Sequence, residues 1–115
     1  MDMDWKVKKG VLVVEPFVSR LDASVSSDFK ETLAGLLKGG QRRLLINMNQ
    51  VDFIDSTGMT VLVSLLKLMG TEESEIMICN VRGGIRNLFK LTKLDRVFPI
   101  FGTEDDVLAQ HTMPA

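Results

Sequence analysis

Trp5 and Val7 alternate with lysines, Lys9-Gly10 supplies a turn, and Val11 to Val14 is a largely β-branched run closed by Pro16. This pattern predicts an antiparallel hairpin at the start of the chain. From Asp22 the period changes. Val25, Phe29, Leu33 and Leu36 recur at helical spacing, Ser26, Ser27, Lys30 and Glu31 fill the other side, and Gly39-Gly40 marks the end. An amphipathic helix follows, with Asp22 or Ser24 as its cap. Leu44 to Met48 is a short, nearly continuous apolar run, as expected of an interior strand covered by helices. Asn49 to Asp55 reads as a loop.

Thr57 to Met69 is the longest apolar stretch. At about 100° per residue, Thr57, Thr60, Ser64 and Lys67 fall on one narrow stripe, and apolar side chains cover the rest of the circumference. That apolar arc is wider than one sheet contact requires, which leaves room for a homodimer. Ile76 to Cys79 predicts another strand, Ile85, Leu88, Phe89 and Leu91 a third helical face, and Val97 to Phe101 a last strand. Thr103, with Asp106 three residues later, is placed to cap a short helix ending near Gln110. His111 to Ala115 reads as a loose tail. Strands alternating with helices after a hairpin imply a mixed sheet whose later strands run parallel.

Composition narrows the functional classes. The 115 residues carry 14 Lys+Arg against 15 Asp+Glu, a formal charge of -1, and 45% of them are hydrophobic. One domain with a real core is expected, and a disordered chain is not. A dedicated nucleic-acid binder would carry a strong basic excess. No apolar run reaches the roughly 18 residues that span a bilayer, and Met1 to Lys9 mixes charged with apolar residues, unlike a secretory signal. The expectation is therefore a cytoplasmic protein with no membrane partner. Cys79 is the single cysteine and His111 the single histidine, so neither an intramolecular disulfide nor a structural zinc site is expected.

Chemistry concentrates at Val51-Asp52-Phe53-Ile54-Asp55-Ser56-Thr57-Gly58, between an interior strand and the apolar helix. In open α/β sheets, ligands and partners bind beyond the carboxyl ends of parallel strands. Ser56 is then expected at the amino end of the helix with its hydroxyl outward. An anion there meets unpaired N–H groups and the positive end of the helix dipole, and Gly58 would allow close approach of the backbone. The plainer reading is that Asp55, Ser56 or Thr57 simply caps the helix.

The run from Leu44 through Asn47, Asp52, Asp55, Ser56, Thr57 and Gly58 to Met59 resembles the signature of bacterial anti-sigma-factor antagonists, stand-alone members of the STAS (sulfate transporter and anti-sigma-factor antagonist) domain class. Arg20-Leu21-Asp22 resembles the acidic corner before the family's first helix, and Gly84 to Phe89 its third helix. The resemblance spans roughly Val11 to Gly102. It implies a single-domain α/β fold of STAS type over residues 1–110, a mixed β-sheet with an N-terminal antiparallel hairpin and helices packed mainly on one face, with a flexible tail over 111–115. It implies a partner-switching protein without catalytic activity, cofactor or metal. In such systems the unphosphorylated antagonist binds an anti-sigma factor that is also a serine kinase, and so releases a sigma factor. The kinase phosphorylates the antagonist with ATP, and a metal-dependent serine phosphatase resets it. Ser56 matches the phosphoacceptor, with Thr57 the alternative, and Asp22 and Asp55 match the flanking acidic positions. Gly58, Met59 and Val63 complete the expected partner-binding set. The pattern differs at Ser19 and Thr60, where the family usually or often has Gly; a bulkier side chain there reshapes the rim.

A phosphate adds about -1.5 to -2 charge. Close to Asp22, Asp52 or Asp55 it is repelled, and a docked partner denies it the water that would screen it. Weakening of binding by about two orders of magnitude follows without refolding. Met59 and Val63 stand between core burial and partner contact, whereas Leu62, Leu65, Leu66 and Met69 are assigned to the core. Arg82, Arg86, Lys90 and Lys93 form a basic stripe, read as a solvated face. An enzyme is disfavoured: Ser56 has no evident base, since His111 falls in the tail, and Cys79 lies in an apolar strand. The alternative function is an adaptor or scaffold subunit of a signalling complex or transport system, not controlled by Ser56.

Overall fold

The computed structural model describes residues 1–70 and 73–110; the predicted tail, with His111, lies outside them. The hairpin forms as the alternation implies, from β1 (Met3–Lys8) and β2 (Val11–Pro16), antiparallel with Lys8 opposite Val11. Lys9 and Gly10 both take positive φ, 53° and 77°, the conformation that matches a two-residue turn to the strand twist. The chain continues through β3 (Arg20–Leu21), α1 (Ser26–Leu37), β4 (Arg43–Asn47), β5 (Phe53–Ile54) and α2 (Ser56–Met69). Then come β6 (Glu75–Cys79), α3 (Gly83–Leu91), a single 3-10 turn at Leu94–Arg96, β7 (Ile100–Phe101) and α4 (Glu104–Gln110).

The main sheet has the order β1-β2-β4-β6-β7, parallel from β2 onward. Its inner strands β2, β4 and β6 are largely apolar on both faces because both are covered. Leu12, Val14, Leu44, Ile46, Ile76 and Ile78 point into a large core shared with α1, α2 and α3. Val11, Val13, Leu45, Met77 and Cys79 point the other way, onto Val107 and Leu108 of α4. Three helices on one face and one short helix on the other give the expected α/β layering. α4 is capped reciprocally: the Asp106 N–H donates to the Thr103 hydroxyl, and the Thr103 N–H to the Asp106 carboxylate, each at 3.2 Å.

Several expectations need correction. Phe53 and Ile54 are not loop; they pair in parallel with Arg20 and Leu21 as a separate two-stranded ladder. Neither Asp22 nor Ser24 is the cap residue of α1. Val25 holds that position, while the Asp22 carboxylate folds the approach by accepting from the Ser24 N–H at 3.0 Å and its hydroxyl at 2.6 Å. Val97 and Phe98 precede the last strand, and Phe98 turns inward to meet Phe89 edge-on, with ring centroids 6.3 Å apart. Leu91 is not on the buried face of α3; it ends the helix 82% exposed. The apolar surplus of α2 is largely used within the chain. Leu62 and Leu65 are buried, Val63, Leu66 and Met69 are half-buried against the core, and only Leu68 stands well exposed.

Candidate functional site

The two-stranded ladder builds the site. Its register sets Leu21 opposite Ile54, so the next residues, Asp22 and Asp55, emerge side by side at the carboxyl ends of β3 and β5. The Ser19 carbonyl accepts from the N–H groups of Asp52 and Phe53 at 2.7 and 3.2 Å, and the Leu21 carbonyl from Asp55 at 3.3 Å. Ser19 takes no positive φ. A side chain at this position is therefore compatible with the bend.

Asp55 caps α2. Its Oδ1 accepts from the Gly58 N–H at 3.1 Å and from the Thr57 hydroxyl in a short bond. This settles the capping question, left open among Asp55, Ser56 and Thr57, in favour of Asp55. The Thr60 hydroxyl is also engaged, donating to the Ser56 carbonyl at 2.8 Å. Ser56 is exposed at the first helical position, and among the described residues its hydroxyl has no hydrogen-bond partner. The N–H groups of the first turn that lack an intrahelical acceptor give its surroundings positive character.

The carboxylates nearby stay charged. The Ser24 hydroxyl, chiefly, and then the Ser24 N–H and Arg20 hold Asp22 below the usual carboxylate range despite partial desolvation. The Thr57 hydroxyl, then the Gly58 N–H, do the same for Asp55, opposed in part by desolvation and weakly by the charge of Asp22. Asp52 has a cationic partner of its own: Arg82 Nε approaches its Oδ1 at 2.9 Å. The basic residues Arg82, Arg86, Lys90 and Lys93 do not all lie along one helix face. Arg82 turns to Asp52 and to the Asn49 carbonyl at 3.2 Å, and Lys93 leaves the helix with φ 61°.

Gly58 plays a part other than the one its sequence position suggested. It is buried, and a Cβ there would stand 2.4 Å from the Leu21 carbonyl oxygen and 2.7 Å from Ile54 Cγ1. The close approach it permits is between α2 and the ladder, not between backbone and anion. Met59 is buried and Val63 half-buried, yet both, with Ser56 and Thr60, line a shallow groove of about 290 Å³ closed by Thr92 and Leu94. On the other side, Asp52, Phe53, Ile54, Gly84, Ile85 and Leu88 surround a second depression. Sequence reasoning missed Thr92, Leu94, Arg20 and Phe53. An available signal was the aromatic ring of Phe53 between Asp52 and Ile54; it is exposed, and the Arg20 guanidinium lies 3.9 Å over its centroid.

Cys79 is buried, and desolvation pushes its thiol up to about 12. It is a core residue. Among the described residues there is no cluster of three or more His, Cys, Asp or Glu side chains that could hold a metal, and no helix is long and apolar enough to cross a membrane.

The STAS domain family model matches residues 2–107. An anti-sigma-B factor antagonist of Staphylococcus aureus is 31% identical over 74 residues, 64% of this chain and 68% of that protein. An anti-sigma-factor antagonist (STAS) domain protein from Planctomyces limnophilus superposes with a TM-score of 0.84 at 23% identity, covering 96% of this chain and 97% of that one. The phosphorylated form of the Bacillus cell fate determinant SpoIIAA superposes with a TM-score of 0.69 at 15% identity, covering 95% and 98%.

Proposed function

The chain belongs to the STAS domain family, and on that premise we propose that it is an anti-sigma-factor antagonist switched by phosphorylation of Ser56. Unphosphorylated, it docks on an anti-sigma factor with serine-kinase activity and frees a sigma factor. The kinase transfers a phosphoryl group from ATP to the Ser56 hydroxyl, the complex dissociates, and a metal-dependent serine phosphatase restores the first state. The chain itself supplies a surface and an acceptor, with no catalytic step of its own, and it acts in the cytoplasm. The docking surface consists of Asp22, Asp55, Ser56 and Thr57, with Met59 and Val63 in the adjoining groove and Gly58 holding the turn from beneath.

One observation carries this reading: Ser56 has an exposed, unengaged hydroxyl beside the Asp22 and Asp55 carboxylates and an apolar groove, while the neighbouring Thr57 and Thr60 hydroxyls are occupied. A free hydroxyl can enter a kinase site without breaking the cap of α2. Its phosphate would then meet Asp22 and Asp55, whose lowered pKa values keep both ionised at neutral pH. The relatives named as anti-sigma-factor antagonists, and the existence of a phosphorylated form of SpoIIAA, agree with this chemistry.

The test is intact-mass analysis after incubation with ATP, with and without the candidate anti-sigma factor kinase. One phosphate, added only with kinase, abolished by Ser56→Ala and retained by Thr57→Val, is the expected result. Phosphate on Thr57 or none at all would overturn it. If Ser56→Ala also leaves signalling in cells unchanged, the protein is an adaptor instead.

A further inference from the structure

We propose that the exposed edge of β1 is a self-association surface, on which a second copy of this chain adds its own β1 antiparallel and so joins two five-stranded sheets. This does not depend on the Ser56 reading. β1 is the outer strand of the main sheet, six residues long, whereas the opposite edge, β7, has two. Lys8 pairs with Val11 across the two-residue turn, and the Phe17 N–H donates to the Asp2 carbonyl at 3.0 Å. Even-numbered residues of β1 therefore direct their backbone groups to β2, and Met3, Trp5 and Val7 direct theirs outward. An edge with those outward groups is a template for another strand.

The side chains identify the occupant. Trp5 is 57% and Val7 49% exposed on the face shared with α1 to α3, beside Val14 and Leu12. On the other face the order is Asp2, Asp4, Lys6, Lys8. With a two-fold axis through Trp5, Asp4 faces Lys6 of the second copy, Asp2 faces its Lys8, Met3 faces its Val7, and the two Trp5 side chains lie together. Each unlike pair occurs twice by symmetry. Centring the axis on Asp4 or on Lys6 sets like charges against each other, so the charge order selects a single register. The charged pairs fall at non-hydrogen-bonded positions, where opposed side chains come closest. Asp4 also lacks a cation within its own chain: it lies opposite Glu15 on β2, and among the described residues no ion pair engages it. Lys6 does have one, Glu104 at 3.0 Å, and it lies on the Asp4 face where a second carboxylate can join.

Sedimentation of the full chain between about 1 and 100 μM reads the mass directly. The expected result is a concentration-dependent rise from 12.8 kDa toward twice that value. Val7→Pro removes an outward N–H without touching the β2 ladder, and should remain monomeric with an unchanged circular dichroism spectrum. Asp4→Lys should weaken dimerisation tenfold or more, and Asp4→Lys combined with Lys6→Asp should restore it to within about threefold. If the Lys6 change lowers Tm through Glu104, the outer pair is exchanged instead, Asp2→Lys with Lys8→Asp. A parent that stays monomeric at about 100 μM, a dimer that survives Val7→Pro, or a charge exchange that restores nothing overturns the proposal.

Discussion

Gly58 and Leu21 meet through backbone alone: a Cβ on Gly58 would stand 2.4 Å from the Leu21 carbonyl oxygen, the same oxygen that accepts from the Asp55 N–H. One carbonyl thus fixes both the helix cap and the depth at which α2 seats on the ladder. Neither Leu21 O nor Ile54 Cγ1 is the free end of a flexible side chain, so an added methyl cannot be absorbed by rotation. Gly58→Ala is expected to cost about 1–3 kcal/mol by overpacking and to push the Ser56 turn outward. Urea unfolding gives the stability, and under the proposed switch the rate of phosphate incorporation by the kinase reports the displaced hydroxyl. Unchanged values for both would mean that α2 shifts freely.

Much of this was legible in the sequence where local chemistry decides the structure. The Lys9-Gly10 turn and the Thr103/Asp106 cap need only residues close in sequence, and both formed as read. The β3–β5 ladder was not legible. Arg20-Leu21 and Phe53-Ile54 are too short to show alternation, and each is extended because the other lies beside it. The site shows the same division. Ser56 and Asp55 stand in one short motif, whereas the position of Asp22 beside them, the Arg20–Phe53 contact, the Asp52–Arg82 pair and the Thr92 and Leu94 wall of the groove come from distant segments. Gly58 was noticed for its flexibility, yet what demands glycine there is a carbonyl 37 positions earlier in the chain. Leu91 followed the helical period, but the helix ends at that residue, with Thr92 at its C-cap, so nothing covers it.

At the carboxyl end of β4, buried Asn47 donates to Glu104 at 2.7 Å, while its carbonyl oxygen accepts from the Asn49 N–H at 2.9 Å and from Asn80 Nδ2 at 3.0 Å. Desolvation raises the pKa of Glu104, but hydrogen bonds from Asn47 and Lys6, with the charges of Lys6 and Lys8, together outweigh it and leave the carboxyl below its ordinary value of 4.5. The group is more acidic folded than unfolded. Its stabilisation is therefore complete above pH 4.5 and is lost as pH falls through the lower folded value. Asn47→Ala is expected to destabilise the fold by about 1 kcal/mol or more by removing three partly buried hydrogen bonds, to Glu104, Asn49 and Asn80. It should also flatten the stability profile in that acid range, and denaturant titrations at a series of pH values check both effects. A variant with the parent's slope would show that Asn47 does not hold the Glu104 carboxylate.

Ser56→Asp tests the proposed switch by separating its charge from the fold beneath it. A carboxylate in the first turn of α2 meets unpaired N–H groups and the positive end of the helix dipole, so Tm should hold or rise. The anti-sigma factor would meet the added charge beside Asp22 and Asp55, with no water between, so affinity should fall. The fall should be smaller than phosphorylation produces, because a carboxylate carries one charge and two oxygens where a phosphate carries nearly two charges and three acceptor oxygens. Salt should narrow the gap between variant and parent, since the charges sit at an exposed rim. Binding titrations at low and high ionic strength, with thermal melts on the same samples, distinguish the possibilities. Parental affinity at low salt defeats the electrostatic account. A weakened complex whose deficit ignores salt points instead to the loss of the small hydroxyl as a packing contact.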